Sequence, residues 1–389
     1  MRALWLKLHL WLGLALGFWL ALIGLTGALL VFYYELEEVL HPALFTVAPQ
    51  PGGAAAYRSL TEIEAAARAA LPQGSKIGFG FYPRTDAGSY WLFAEVPAGN
   101  KADHWQVFVD PYTAQALGTR LVKPHDAWFA RDFFSFVFEL HYQLLLPWEI
   151  GGPIVGIMAL ATLVSLGIGI YLWWPKNGKW GRALRFKRGA SRTRFVFDLH
   201  NLSGVYLLPV LVAVLVSGLY FNLPDQFFWT VNRFSPGTQN RYEIKSAPPA
   251  AGAVPIGLQR AFDIVRARYP EGRPDWLYIA KEPDATYTIC AKDVPGLSAF
   301  ADRRCVVVDQ YTGAILWTTE PGAHTGGNTF VAWQWPLHSG TAFGLPGRIL
   351  VLLSGLALPV LFVTGFIRWR QKVRARRIVA ARQPRIKPA

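Results

Sequence analysis

LHLWLGLALGFWLALIGLTG, Leu8–Gly27, and LHNLSGVYLLPVLVAVLVSG, Leu199–Gly218, are one pattern used twice. Each runs twenty residues without Asp, Glu, Lys or Arg, and a helix needs about 20 apolar residues to cross the hydrocarbon. In both, a histidine (His9, His200) is followed four residues later by Gly13 or Gly204. A hydroxyl–glycine pair then follows at equal offsets, Thr26-Gly27 and Ser217-Gly218. Two more apolar runs, Pro153–Trp174 and Gly347–Trp369, complete the set. With 52% hydrophobic and 16% charged residues and a mean hydropathy of +0.23, the chain departs from a soluble domain, in which about 25% of residues are charged. The first run is far longer than the roughly 7–15 apolar residues of a secretory signal, and no small-residue cleavage site precedes YYELEEVL. It reads as a retained helix.

Charge placement gives orientation. Arg2 and Lys7 precede the first run, eight Lys or Arg and no acid occupy Pro175–Phe197, and nine with no acid lie from Arg368 onward. The rest of the chain carries 20 basic against 25 acidic residues. By the positive-inside rule these three segments, and with them both termini, are expected in the cytoplasm, and the long polar segments on the other side. The net charge of +14 is therefore a topology signal, and nucleic acid is not an expected partner; membrane lipid is. The expected spans are 8–33, 149–174, 198–221 and 346–369. The extracytoplasmic segments are 35–148, which ends in an amphipathic stretch, and 222–345. The basic loop is 175–197 and the basic tail 370–389. Trp173, Trp174 and Trp369 stand where an interfacial aromatic belt would lie.

The polar segments repeat as well. LTEIEAAARAALP and IGLQRAFDIVRARYP show helical spacing, alternating runs follow each, and VFVDPYTAQALG and VVVDQYTGAILW close them. An ELH or PLH step at His141 and His338 precedes each second span. The fold expected is an integral membrane α-helical protein. Its four-helix transmembrane core is built from two parallel repeats, each with an extracytoplasmic α+β domain, about an axis along the membrane normal. Two cysteines exclude a disulfide scaffold, a four-thiolate iron–sulfur cluster and a Cys-rich zinc module. Cys290 and Cys305 fall in consecutive strand-like runs, and an oxidising compartment favours a cross-strand disulfide between them.

Four of the eight histidines recur at equivalent places: His9 with His200 near the cytoplasmic side, and His141 with His338 near the outer side. A single histidine near a helix end is ordinarily an interfacial group. Two at matched depth in a duplicated frame supply what six-coordinate haem iron requires, one imidazole from each side, and bundle cores build such sites from facing helices. Gly13 and Gly204 are expected to leave room on the His-bearing faces. His125 and His324 occur at similar distances upstream of His141 and His338 and are second candidates as ligands or substrate contacts. His41 and His104 read as surface residues. No catalytic acid–base pair or nucleophile stands out.

The whole chain resembles the PepSY-associated transmembrane family of iron-regulated membrane proteins, which includes inner-membrane ferric-siderophore reductases. The resemblance rests on LHLWLGL at His9, ELHYQLLLPWEIGGPIVG at His141, FDLHNLSGVYLL at His200, PLHSGTAFGLPGR at His338, and the paired VDPYTA and VDQYTG turns. It implies PepSY-like periplasmic domains, a bacterial inner-membrane location and two b-type haems, with His9, His141, His200 and His338 as axial ligands to the haem iron. Propionates would pair with Arg2, Lys7, Arg194 or Arg348. It also implies a haem-dependent oxidoreductase that reduces a ferric siderophore or other ferric chelate during iron uptake. No G-x-G-x-x-G follows a strand and the cytoplasmic segments are short, so the electron donor is expected to be a quinol or a separate reductase. The competing readings are a non-catalytic PepSY binding or regulatory protein, which would carry no pigment, and a haem-handling or transport protein.

Overall fold

The computed structural model describes residues 1–176, 178–320 and 324–382, with side chains through Val379. The end of the expected basic tail, 383–389, lies outside the described residues. Among the described residues, three helices are long and apolar enough to cross a bilayer: Arg2–Leu30, Trp148–Trp173 and Thr341–Val379. The run expected as the third span is not a continuous helix. It is broken into Arg192–Tyr206 and Leu208–Asn222, bent by 60° about Leu207. The expected core of four continuous transmembrane helices is therefore corrected to three long helices and one broken pair. Pro209 stands in the first turn after the break. It has no N–H to give, and its ring crowds the carbonyl four residues back, so the helix restarts instead of running through.

The second correction concerns the polar segments, which were expected as one α+β domain per repeat. Their strands form one antiparallel sheet: β1 Lys76–Phe81, β2 Tyr90–Ala98, β3 Lys101–Val109, β4 Ala116–Lys123, β5 Arg273–Tyr278, β6 Thr286–Lys292, β7 Arg303–Asp309 and β8 Ile315–Thr318. The order is β4-β3-β2-β1-β5-β6-β7-β8. Each repeat supplies a four-stranded meander, and β1 pairs with β5 through Phe79↔Tyr278, Gly80↔Leu277 and Phe81↔Trp276. This joint covers one edge of each meander, and an unpaired strand edge is a liability in water.

The two faces of the sheet differ because strand side chains alternate. One face is aliphatic. Ile77, Leu92, Val107, Leu277, Ile289 and Val306 are buried in a common core with residues of helices Leu60–Ala69 and Leu258–Arg268, and each such side chain contributes about 1.5–3 kcal/mol on burial. Ser59 and Glu62 cap the first of these helices reciprocally. The other face is aromatic, with Phe79, Phe81, Trp91, Phe93, Trp276 and Tyr278. Cys290 and Cys305 are direct partners across β6 and β7 and are joined by a disulfide, packed with Trp276 on this same face.

The repeated turns are built alike. Asp110 Oδ1 accepts from the backbone N–H of Tyr112 and Thr113, and Asp309 Oδ1 from those of Tyr311 and Thr312. Each turn then passes through a positive-φ residue, Gly313 at 74° and Ala114 at 54°. The second copy has the residue that this conformation favours and the first does not.

Candidate functional site

The four recurrent histidines come together in two pairs. His9 and His200 have ring centres 6.2 Å apart at an interplanar angle of 79°. His141 and His338 are 6.1 Å apart at 68°. The outer pair reaches this level because the chain doubles back after each histidine. Helix Phe133–Gln143 carries His141 and ends at Leu144 and Leu145, both at positive φ (56° and 61°), and Pro147 then caps the helix that begins at Trp148. After His338 the same reversal uses Gly340 at 79° and Gly344 at 58°.

Every one of the four rings is held through Nδ1 by a helix it does not belong to. His141 Nδ1 lies 2.9 Å from Ile23 O and 3.2 Å from Thr26 Oγ1. His200 Nδ1 lies 3.1 Å from Leu361 O and 3.0 Å from Thr364 Oγ1. For His9 both the carbonyl and the hydroxyl of Ser165 lie at 3.0 Å. His338 Nδ1 is 2.8 Å from Ser217 Oγ, and that hydroxyl donates to Val214 O. A carbonyl can only accept, so Nδ1 carries the proton and Nε2 keeps its lone pair. This is the arrangement of a metal-ligating histidine, whose second nitrogen is fixed by a backbone or carboxylate acceptor.

The anchoring helices share a local design that the sequence shows only in retrospect. The anchoring residue is followed four positions later by glycine in all four cases: Ile23 and Gly27, Ser165 and Gly169, Val214 and Gly218, Leu361 and Gly365. A hydroxyl stands three positions on in three of them, at Thr26, Ser217 and Thr364, and donates back to the same carbonyl. A Cβ at Gly27 would stand 2.7 Å from His141 Cε1, one at Gly169 3.3 Å from His9 Cε1, and one at Gly365 3.4 Å from His200 Cε1. These glycines admit the rings. Gly13 and Gly204 touch no histidine ring: a Cβ at Gly13 would meet nothing within 4 Å, and one at Gly204 Leu361 at 3.6 Å.

The ring-centre separations match the spacing of two imidazoles on one iron. Metal–imidazole bonds of about 2.0–2.1 Å, with about 1.1 Å from nitrogen to ring centre, place two such centres about 6.2 Å apart. His125 and His324 join neither pair. His125 Nδ1 is 2.8 Å from Asp103 Oδ1 at the surface, and His324 stacks on Trp317 and bonds Thr318 O. Among the described residues, no group of three or more His, Cys, Asp or Glu is arranged to hold a bare metal ion.

A cavity of about 1200 Å³ separates the aromatic sheet face from the membrane helices, and His141 and His338 are in its wall. Arg84, Arg303 and Arg348 line it too. Arg348 is held by Glu35 at 2.8 Å and by Val31 O at 2.6 Å. Burial pushes the Glu35 carboxyl up, but Arg348 and Arg84 outweigh it and bring it down to about 2. Arg303 bridges Asp275 and Asp302, and burial raises Asp302 above the usual carboxylate range despite that partner. Of the other basic residues considered from the sequence, Arg2 donates to Leu172 O and Arg194 pairs with Asp198.

No curated protein matches this sequence. A family model described as the PepSY-associated TM region matches residues 6–372, nearly the whole chain and both histidine pairs. The chain belongs to that family of membrane proteins.

Proposed function

We propose that this protein is a haem-dependent electron-transfer protein that reduces a ferric chelate on the extracytoplasmic side of a bacterial inner membrane. The observation that carries the reading is the pair of imidazole pairs, each about 6 Å between ring centres and each with all Nδ1 atoms tied down. His9 with His200 would hold one b-type haem and His141 with His338 another. When bound, such a group supplies one-electron chemistry whose potential depends on axial ligands, burial and surrounding hydrogen bonds.

The chain's own residues do the rest. Backbone carbonyls and the hydroxyls of Thr26, Ser165, Ser217 and Thr364 fix the ring orientations and make the rings better donors. The pairs stand at different depths. His9 is near the start of helix Arg2–Leu30, and Ile23, which anchors His141, is fourteen residues on, about 21 Å along the axis at 1.5 Å per residue. Two sites at two depths suit transfer across the bilayer. The aromatic, arginine-bearing cavity beside the outer pair has room for a chelate. Oxygen-rich chelates hold ferric iron far more strongly than ferrous iron, so reduction promotes release. The donor is a membrane quinol or a separate reductase.

The test is to reduce the detergent-purified protein anaerobically, remove excess reductant and add a ferric chelate with a ferrous trap. Stoichiometric appearance of trapped ferrous iron, lost in His141→Ala and His338→Ala, is expected. A reduced protein that yields no ferrous iron from chelates bearing hydroxamate, catecholate or carboxylate donors would overturn the reading.

A further inference from the structure

Arginines at the inner edge of the sheet and cavity come with carboxylates, and Arg241, a half-buried residue, differs from them in its hydrogen bonds. Arg120 is paired with Glu37 and Asp132, and Arg303 with Asp275 and Asp302. Arg241 departs from this pattern. It sits in the short turn Arg241–Glu243, its guanidinium lies 4.7 Å over the Tyr242 ring, and Nη2 donates to the Tyr242 hydroxyl at 2.7 Å. Its Nε is buried with no hydrogen-bond partner. A buried N–H without an acceptor is an unmet hydrogen-bonding group, and arginine keeps its charge.

The neighbours of Arg241 are short of partners in the same sense. Trp276 and Trp317 are 7% and 8% exposed, and neither indole N–H has an acceptor among the described residues; Trp335 is alike. Arg241, Tyr242, Trp276, Trp317 and Trp335 surround a small chamber of about 60 Å³. It holds donors and phenols, and no carboxylate lines it. The chamber is about one-twentieth the size of the large cavity, so it suits a small polar group and not a whole chelate. A guanidinium fork matches a carboxylate through two parallel N–H···O bonds. Phe221, Tyr242, Trp276 and Trp335 belong to the walls of both this chamber and the large cavity beside His141 and His338.

We propose that the Arg241 chamber is an anion site that receives one carboxylate group from a ligand whose body lies in the large cavity. The site stands on its own residues, and only the identity of the carrier rests on the reductase reading. Two carriers have the right chemistry: a chelate with a free carboxylate arm, and a porphyrin with its propionate.

The experiment uses the full chain in detergent, with citrate and acetate as probes in calorimetry, and compares Arg241→Met and Arg241→Lys with the wild type. Binding of either carboxylate is expected to weaken at least tenfold in Arg241→Met and less in Arg241→Lys, which keeps the charge but loses the fork. Haem and its dimethyl ester separate the carriers. If the carrier is porphyrin, the wild type retains haem at least tenfold better than the diester, and Arg241→Met loses that preference. If the carrier is the chelate, haem and diester are held alike, and haem-loaded wild type still binds citrate. Wild-type affinity for citrate and acetate in both variants, together with unchanged preference between haem and diester, would overturn the proposal. These readouts need no electron transfer, so the anion site can fail while the reductase reading stands, and the reverse.

Discussion

Gly27 and His141 are in contact across 114 residues of sequence: a Cβ on Gly27 would stand 2.7 Å from Cε1 of the ring, which is anchored by the carbonyl four residues before that glycine. A methyl group there forces either the helix or the ring to move. Gly27→Ala is therefore expected to disturb the His141–His338 pair and leave the His9–His200 pair alone. With haem bound, the expected result is loss of about half the b-type absorbance and retention of the rest. Gly13→Ala adds a carbon where no neighbouring protein atom stands within 4 Å, and it is expected to leave the ligand-free fold unchanged.

Glu37 is fully buried, and it accepts two hydrogen bonds from Arg120 and one contact from His41. It ties the helix after the first span to β4. Removing one partner of a buried ion pair costs about 3–5 kcal/mol because the other charge is left unpaired. Here Asp132 remains 3.1 Å from Arg120, so Glu37→Gln is expected near the lower end of that range, measured by chemical unfolding in detergent. Loss of less than about 0.5 kcal/mol, the range of an ordinary surface change, would show that Asp132 alone satisfies the arginine.

Ala114 is at a φ of 54° where the equivalent turn of the second copy has Gly313 at 74°. A non-glycine residue in the left-handed region costs roughly 1–2 kcal/mol, and glycine adds unfolded-state entropy that offsets part of the gain. Ala114→Gly is expected to stabilise the sheet by about 0.5–1 kcal/mol. Gly313→Ala should destabilise by more, since Ile264 Cδ1 lies 2.7 Å from the added carbon.

Asp309 governs an acid transition of the second copy. Burial pushes its carboxyl up, but the backbone N–H groups of Thr312, Tyr311 and Ala247 win and hold it at about 2. A carboxyl depressed in the folded state adds stability above its unfolded value near 4 and loses it as pH falls toward 2. The wild type is therefore expected to lose stability between about pH 4 and pH 2, and Asp309→Asn to show a flatter profile over that window. Hydrogen exchange of β7 and β8 reports the change, and identical slopes in the two proteins would contradict the assignment.

Several features of this arrangement are readable in the sequence and others are not. The equal offsets from His9 to Thr26-Gly27 and from His200 to Ser217-Gly218 are visible at once. Their use is not, because Thr26 and Ser217 serve His141 and His338 from more than a hundred residues away. The break at Leu207 escaped a hydropathy reading because such averages count apolar residues, whereas Pro209 acts by removing a single hydrogen bond. Alternation marks the strands of both meanders, but no local pattern tells that β1 pairs with β5, since that depends on which edges the folded halves bring together. Arg241 had no signal at all: that its Nε lacks a partner follows from where the folded chain puts its acceptors, not from its neighbours in sequence.

The most direct measurement is a reduced-minus-oxidised absorbance spectrum of the purified full chain, with haem counted by the pyridine haemochrome method. Two b-type haems per chain are expected, falling to one when either member of a pair is changed, by His9→Ala or His200→Ala for one site and His141→Ala or His338→Ala for the other. A folded protein that remains colourless when produced with ample haem would contradict the paired-imidazole reading.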